Sequence, residues 1–97
     1  MSAGAPDCAV RVRIEGRVQG VWYRGWAVDE ALARGLRGWI RNRMDGSVEA
    51  LFVGRQDAVQ AMVGACRQGP AHARVDYVEE YPGRDDGEPG FRQVHTV

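Results

Sequence analysis

The stretch AVRVRIEGRVQGVWYRGWAVDEALAR, residues 9–34, decides the fold because its hydrophobic pattern changes period in the middle. Apolar and charged side chains alternate in residues 9–15, which is typical of a half-buried β-strand. Apolar side chains then recur at helical spacing in residues 23–34, and Gly35 follows as a helix terminator. The glycine-bounded segment 16–21 therefore predicts a tight loop between a strand and a helix.

The rest of the chain continues the same alternation of patterns. Two apolar runs joined by Asp45-Gly46 predict a β-hairpin. The predicted strands are residues 9–15, 36–42, 47–53, 73–81 and 91–97, and the predicted helices are residues 23–34 and 56–67. This β-α-β-β-α-β order with a short extra C-terminal strand predicts an α+β, ferredoxin-like sandwich. We expect an antiparallel sheet with both helices on one face.

The length of 97 residues suits a single domain. Residues 1–7 are small, polar and proline-containing, so we expect a flexible N-terminal tail there. Residues 8–97 then form the one domain.

The predicted topology has a consequence for where a ligand would bind. A helical crossover joins the first two strands, so these strands run parallel and end at the same edge of the sheet. With one strand between them, their ends lie roughly 10 Å apart. We expect the 16–21 loop and Asn42 to face each other across a gap suited to a small ligand.

Charge composition excludes several functions. Thirteen basic residues balance thirteen acidic ones, and every basic residue is arginine. Without lysine the chain cannot use a Schiff-base lysine or a P-loop lysine. The neutral balance also argues against broad binding to nucleic acid or to an anionic membrane.

The cysteines and histidines are isolated in the sequence. Cys8, Cys66, His72 and His95 match no metal-ligand spacing, so we expect no metal site and no cofactor. A disulfide between the two cysteines is conceivable, but the N-terminal residues do not resemble a signal peptide, and no apolar run reaches membrane-spanning length. We therefore expect a cytoplasmic protein with reduced thiols.

The glycine-bounded loop can bind an anion. Successive backbone N–H groups in such a loop can turn inward as a nest, and the following helix adds its positive N-terminal end. Arg24 in the first helical turn offers a planar fork that matches phosphate. Taken alone, a glycine loop before a helix is more often an ordinary strand-to-helix turn.

Two longer motifs resemble a known family. Ile14-Glu15-Gly16-Arg17-Val18-Gln19-Gly20-Val21-Trp22-Tyr23-Arg24 resembles the first acylphosphatase signature. Gly38-Trp39-Ile40-Arg41-Asn42-Arg43-Met44-Asp45-Gly46-Ser47-Val48, followed by Gly54, resembles the second. The spacing between them needs no gap, and the resemblance covers about residues 10–97. Tyr23 stands where the family more often has phenylalanine, and Ile40 where it has a smaller residue.

The resemblance implies a metal-independent enzyme that hydrolyses acyl phosphates to carboxylate and phosphate without a covalent intermediate. It implies that Arg24 binds the phosphate and that Asn42 orients the attacking water. The backbone amides implied to hold the phosphoryl oxygens are those of Arg17, Val18, Gln19, Gly20 and Val21. We expect a monomer whose partners are a small acyl phosphate and its product, inorganic phosphate, and not nucleic acid or membrane.

Two other functions are compatible with the fold. One is a module that binds a phosphorylated molecule without hydrolysing it. The other is a ferredoxin-like nucleic-acid-binding module, which the neutral charge and the lack of aromatic residues on the first strand disfavour.

Overall fold

The computed structural model describes residues 7–97, so residues 1–6 of the predicted tail lie outside the described residues. Asp7 pairs with Arg37, with its Oδ2 3.2 Å from Nη2. The strands are β1 Cys8–Arg17, β2 Arg37–Asn42, β3 Val48–Gly54, β4 Arg74–Pro82 and β5 Phe91–Gln93, and the helices are α1 Tyr23–Ala33 and α2 Gln56–Cys66.

The strands form one five-stranded sheet in the order β4-β1-β3-β2-β5. β1 is antiparallel to both β3 and β4, and β2 is antiparallel to β3. β1 and β2 are therefore parallel and are separated by β3, as the sequence predicts. The predicted ferredoxin-like α+β fold is confirmed.

The C-terminal strand differs from the prediction in length and direction. The predicted strand at 91–97 is only the three residues Phe91–Gln93, and it pairs parallel with β2, so the sheet is mixed. β4 ends beside the start of β1, where the Gly83 N–H donates to the Ala9 carbonyl. The chain crosses the sheet at that end, so β5 has to start beside the start of β2 and run in the same direction.

Both helices cover one face of the sheet, and the core lies beneath them. α1 packs against β2 and β5, and α2 packs against β1 and β3. The Tyr23 hydroxyl at the start of α1 donates to the carbonyl of Cys66 at the end of α2, at 2.7 Å. Burial raises the pKa of the Tyr23 phenol above its ordinary value, so it stays a neutral donor. Phenylalanine at this position would lack that bond.

Neither of the two helices in residues 7–97 is long and apolar enough to cross a membrane.

Candidate active site

β1 contains, one residue before its end, a glycine that no other residue could replace without strain. The pairing of β1 with β4 shifts register between Glu15 and Gly16, and Gly16 has a φ of 134°. A Cβ at Gly16 would collide with the Arg74 carbonyl oxygen. β1 extends two residues beyond the prediction, so Arg17 is paired with Arg74 as the last strand residue and the loop itself comprises residues 18–22.

The loop backbone presents free hydrogen-bond donors. Gly20 and Trp22 have left-handed φ angles of 74° and 65°, and Val18 is buried in the core. Within residues 7–97, no backbone acceptor is bonded to the N–H groups of Val18 to Val21. The first turn of α1 likewise receives no side-chain cap from Trp22. Free N–H groups around left-handed residues at a helix start suit an anion.

Arg24 follows these donors in the first turn of α1, and none of the described residues supplies a carboxylate partner for it. It is half-buried in the first turn of α1 and lines an open cleft of about 500 Å³ together with Gln93, Val94, His95 and Thr96. Ten of the thirteen arginines pair with carboxylates. Arg24 forms no ion pair within the described part of the chain, so its guanidinium is available to an anionic ligand.

Asn42 is the last residue of β2, opposite Val48. It follows the buried Ile40 by two positions, so its side chain lies on the helix-covered face of the sheet. Its Oδ1 is buried and accepts no hydrogen bond from any residue in the range 7–97. Because buried carbonyl oxygens are normally paired, this atom is a candidate acceptor for a bound water or ligand.

The side chain of Gln19 connects the loop to the segment that follows Asn42. Its Nε2 donates to the carbonyl oxygens of Arg43 and Ser47, both at 2.8 Å. The structure thus brings the loop and the end of β2 together, as the topology predicts. These side-chain contacts of Gln19 were not predicted from the sequence, which assigns a role only to its backbone N–H.

A buried carboxylate on β3 holds the two arginines that flank Asn42. Glu49 is only 5% exposed, and its Oε1 accepts from Arg41 at 2.8 Å and from Arg43 at 3.1 Å, while Oε2 accepts from Arg11 at 2.8 Å. Burial opposes ionisation, but the hydrogen bonds from Arg41 and Arg11 outweigh it and lower the pKa of Glu49 below its ordinary value. This cluster was not predicted, because Arg41 meets Glu49 through the register of the β2–β3 hairpin and Arg11 is 38 positions away from Glu49 in the chain.

The other residues considered from the sequence are the cysteines, the potential metal ligands and the tryptophans. Cys8 and Cys66 are both free, and burial raises the pKa of the Cys66 thiol to about 12, which keeps it protonated. No group of three or more potential metal ligands occurs within residues 7–97. Trp22 is 63% exposed at the end of the loop, whereas Trp26 and Trp39 are half-buried.

Known proteins are similar to this chain in both sequence and fold. The sequence model of the acylphosphatase family matches residues 10–93. An acylphosphatase of Rhodospirillum rubrum is 58% identical over 86 residues, which cover 89% of this chain and 94% of that protein. The chain belongs to the acylphosphatase family.

Solved acylphosphatase structures agree with this assignment. The acylphosphatase from Bacillus subtilis is 37% identical, with a TM-score of 0.85 and coverage of 89% of this chain and 97% of that one. The acylphosphatase from Coxiella burnetii is 26% identical, with a TM-score of 0.89 and coverage of 97% and 100%.

The charge cluster around Glu49 yields a pH-dependent prediction. Because the folded-state pKa is lowered, the stability that Glu49 contributes is present above its ordinary pKa and is lost as pH falls through the lowered one. Glu49→Gln is expected to lower the free energy of unfolding at neutral pH by roughly 1.5–3 kcal/mol. It should also make the decline in stability on acidification shallower. Urea unfolding at several pH values measures both effects.

The exposed Glu88→Gln is the matched control, and it should follow the wild type. If Glu49→Gln and Glu88→Gln lose stability equally over the acidic range, the cluster does not contribute as described.

Proposed function

We propose that this protein is a metal-independent acylphosphatase that hydrolyses acyl phosphates by direct in-line attack of water. One observation carries the proposal. Polar groups that have no protein partner among residues 7–97 lie in the loop after β1, in the first turn of α1 and at the end of β2: the loop N–H groups, the Arg24 guanidinium and the buried Asn42 Oδ1. The Gln19 side chain joins this loop to Arg43, which directly follows Asn42. The loop and Arg24 supply donors for a phosphoryl group, and Asn42 supplies an acceptor for a water molecule.

The phosphoryl group is bound by the loop and by Arg24. In this proposal the backbone amides of residues 17–21 donate to its oxygens, and the planar guanidinium donates two parallel hydrogen bonds. Phosphoryl transfer passes through a loose transition state whose charge lies on these oxygens, so donors fixed before the reaction lower its barrier. Arg17 is the last residue of β1, so Val18 to Val21 are the loop residues among these backbone donors.

Asn42 acts on the attacking water. A carboxamide is too weak a base to remove a proton in the ground state, but its carbonyl oxygen can accept a hydrogen bond from water. Such a bond holds the water oxygen in line with the phosphorus and reduces the entropy lost on reaching the transition state. The buried position of Oδ1 supports this role because the atom would otherwise remain unpaired.

The chemistry needs no general acid. The leaving group is a carboxylate, whose conjugate acid has a pKa of about 4, so it departs without being protonated. An alkyl phosphate would instead expel a strongly basic alkoxide. The proposed substrate class is therefore the carboxylic-phosphoric anhydrides, with carboxylate and inorganic phosphate as products.

The proposal includes a cytoplasmic monomer that acts on a small molecule. The free Cys8 and Cys66 support a reducing compartment. The neutral net charge supports a small ligand over nucleic acid or an anionic membrane.

Release of phosphate from benzoyl phosphate or acetyl phosphate in the presence of EDTA tests the function. We expect steady turnover that survives chelation, because the proposed site uses only protein groups. Purified, folded protein that binds phosphate but releases none from either substrate would show a binding module instead.

Replacement of Arg24 tests the need for a planar fork. Arg24→Ala is expected to remove about 3–4 kcal/mol of transition-state stabilisation and nearly abolish turnover. Arg24→Lys should also lose most activity, because a point charge cannot make the paired hydrogen bonds. Steady-state kinetics measures both variants, and the exposed Arg84→Lys is the control. Near wild-type turnover by Arg24→Lys would show that the paired hydrogen bonds of a planar guanidinium are not required.

Replacement of Asn42 separates catalysis from binding. Asn42→Ala is expected to lower kcat by roughly 100-fold or more, because the water loses its fixed orientation. Inhibition by inorganic phosphate should change far less, since the phosphate donors are retained. A parallel loss of both would assign Asn42 to phosphate binding.

A further inference from the structure

The carboxamide of Gln19 bridges both ends of the turn between β2 and β3. Each of its two N–H groups meets one carbonyl, that of Arg43 and that of Ser47, at 2.8 Å. The same turn is closed by its own backbone, since the Arg43 N–H donates to Ser47 at 2.9 Å and the Gly46 N–H donates to Arg43 at 3.1 Å. Gln19 is therefore an additional donor to carbonyls that already have one partner.

This contact links two parts of the site that come from different strands. The backbone of Gln19 belongs to the loop after β1, and Arg43 directly follows Asn42 at the end of β2. β3 lies between these strands, so no short covalent path sets the separation between the loop and Asn42. In-line attack requires that separation to be accurate, because a shift of about 1 Å costs roughly 100-fold in rate.

We infer that the Gln19 side chain is a positioning residue for the reaction: it fixes Asn42, and the water that Asn42 holds, relative to the phosphate-binding loop. This inference rests on the proposed function. It assigns the side chain a role separate from that of the Gln19 backbone N–H, which any residue at this position would retain. Because both carbonyls keep their backbone donors when the side chain changes, the fold should survive its loss.

Kinetics of Gln19→Leu tests the inference, with benzoyl phosphate as substrate and inorganic phosphate as inhibitor. Leucine has a similar volume and no donor. We expect kcat to fall roughly 10- to 100-fold, the phosphate inhibition constant to stay within about threefold, and the urea midpoint to stay close to wild type. A purely structural role would not lower kcat while leaving phosphate affinity and stability unchanged. Gln60→Leu, on the exposed side of α2, is the matched control.

Gln19→Glu provides a second variant of the same length. Its carboxylate would direct acceptor oxygens at two carbonyl oxygens, so it should lose kcat at least as strongly as leucine does. Undiminished kcat in both variants overturns the positioning role, as does a parallel loss of kcat and phosphate affinity in Gln19→Leu, which adds no charge to the loop. Unfolding of both variants also overturns it, because the inference requires that the turn between β2 and β3 stays folded without the Gln19 side chain. A wild-type protein without turnover would instead refute the proposed function.

Discussion

The burial of β3 between β1 and β2 is the constraint on which the site depends. All seven residues of β3 are buried, and the strand is antiparallel to both neighbours. β1 and β2 must therefore run in the same direction and end at the same edge of the sheet. β3 has little freedom to slide, because a slip of one residue would move the charged Glu49 into the core that Val48, Ala50 and Phe52 help to form. The packing of the core thus brings the loop and Asn42 to the same edge of the sheet, where the Gln19 side chain joins the loop to Arg43.

Although the net charge is neutral, the carboxylate partners are unevenly distributed among the arginines. Ten arginines pair with carboxylates, and a single buried carboxylate, Glu49, holds three of them. Arg24 differs because no acidic side chain in residues 7–97 pairs with it, although it is half-buried. A charge that is partly withdrawn from water and lacks an internal partner interacts strongly with an incoming anion. One small dianion can then be bound locally without a basic surface.

Local sequence patterns predict the elements, but not the contacts between distant residues. The hydrophobic periods predict both helices and the strands along the chain, because burial on one face imposes a period. The contacts of Gln19 with Arg43 and Ser47 join residues more than 20 positions apart, and no local pattern encodes them. Glu49 lies in an apolar-rich run of sequence, and that local pattern does not indicate the three arginines that pair with it. The C-terminal strand was predicted too long, because Val94 and Val97 donate backbone hydrogen bonds to β2 without extending the ladder beyond Phe91–Gln93.

The conformation of Trp22 explains how the loop can be ordered before a ligand binds. A bulky residue at φ 65° costs on the order of 1–3 kcal/mol, so other contacts must hold it. Its carbonyl accepts from the Trp26 N–H at 3.0 Å, and its indole lies so close to Gly25 that a Cβ there would collide with the ring. This left-handed turn lets α1 begin at Tyr23, so Arg24 lies within a few residues of the loop amides. The Trp26 hydrogen bond and the contact with Gly25 thus act against the strain at Trp22 and hold the start of α1 next to the loop amides.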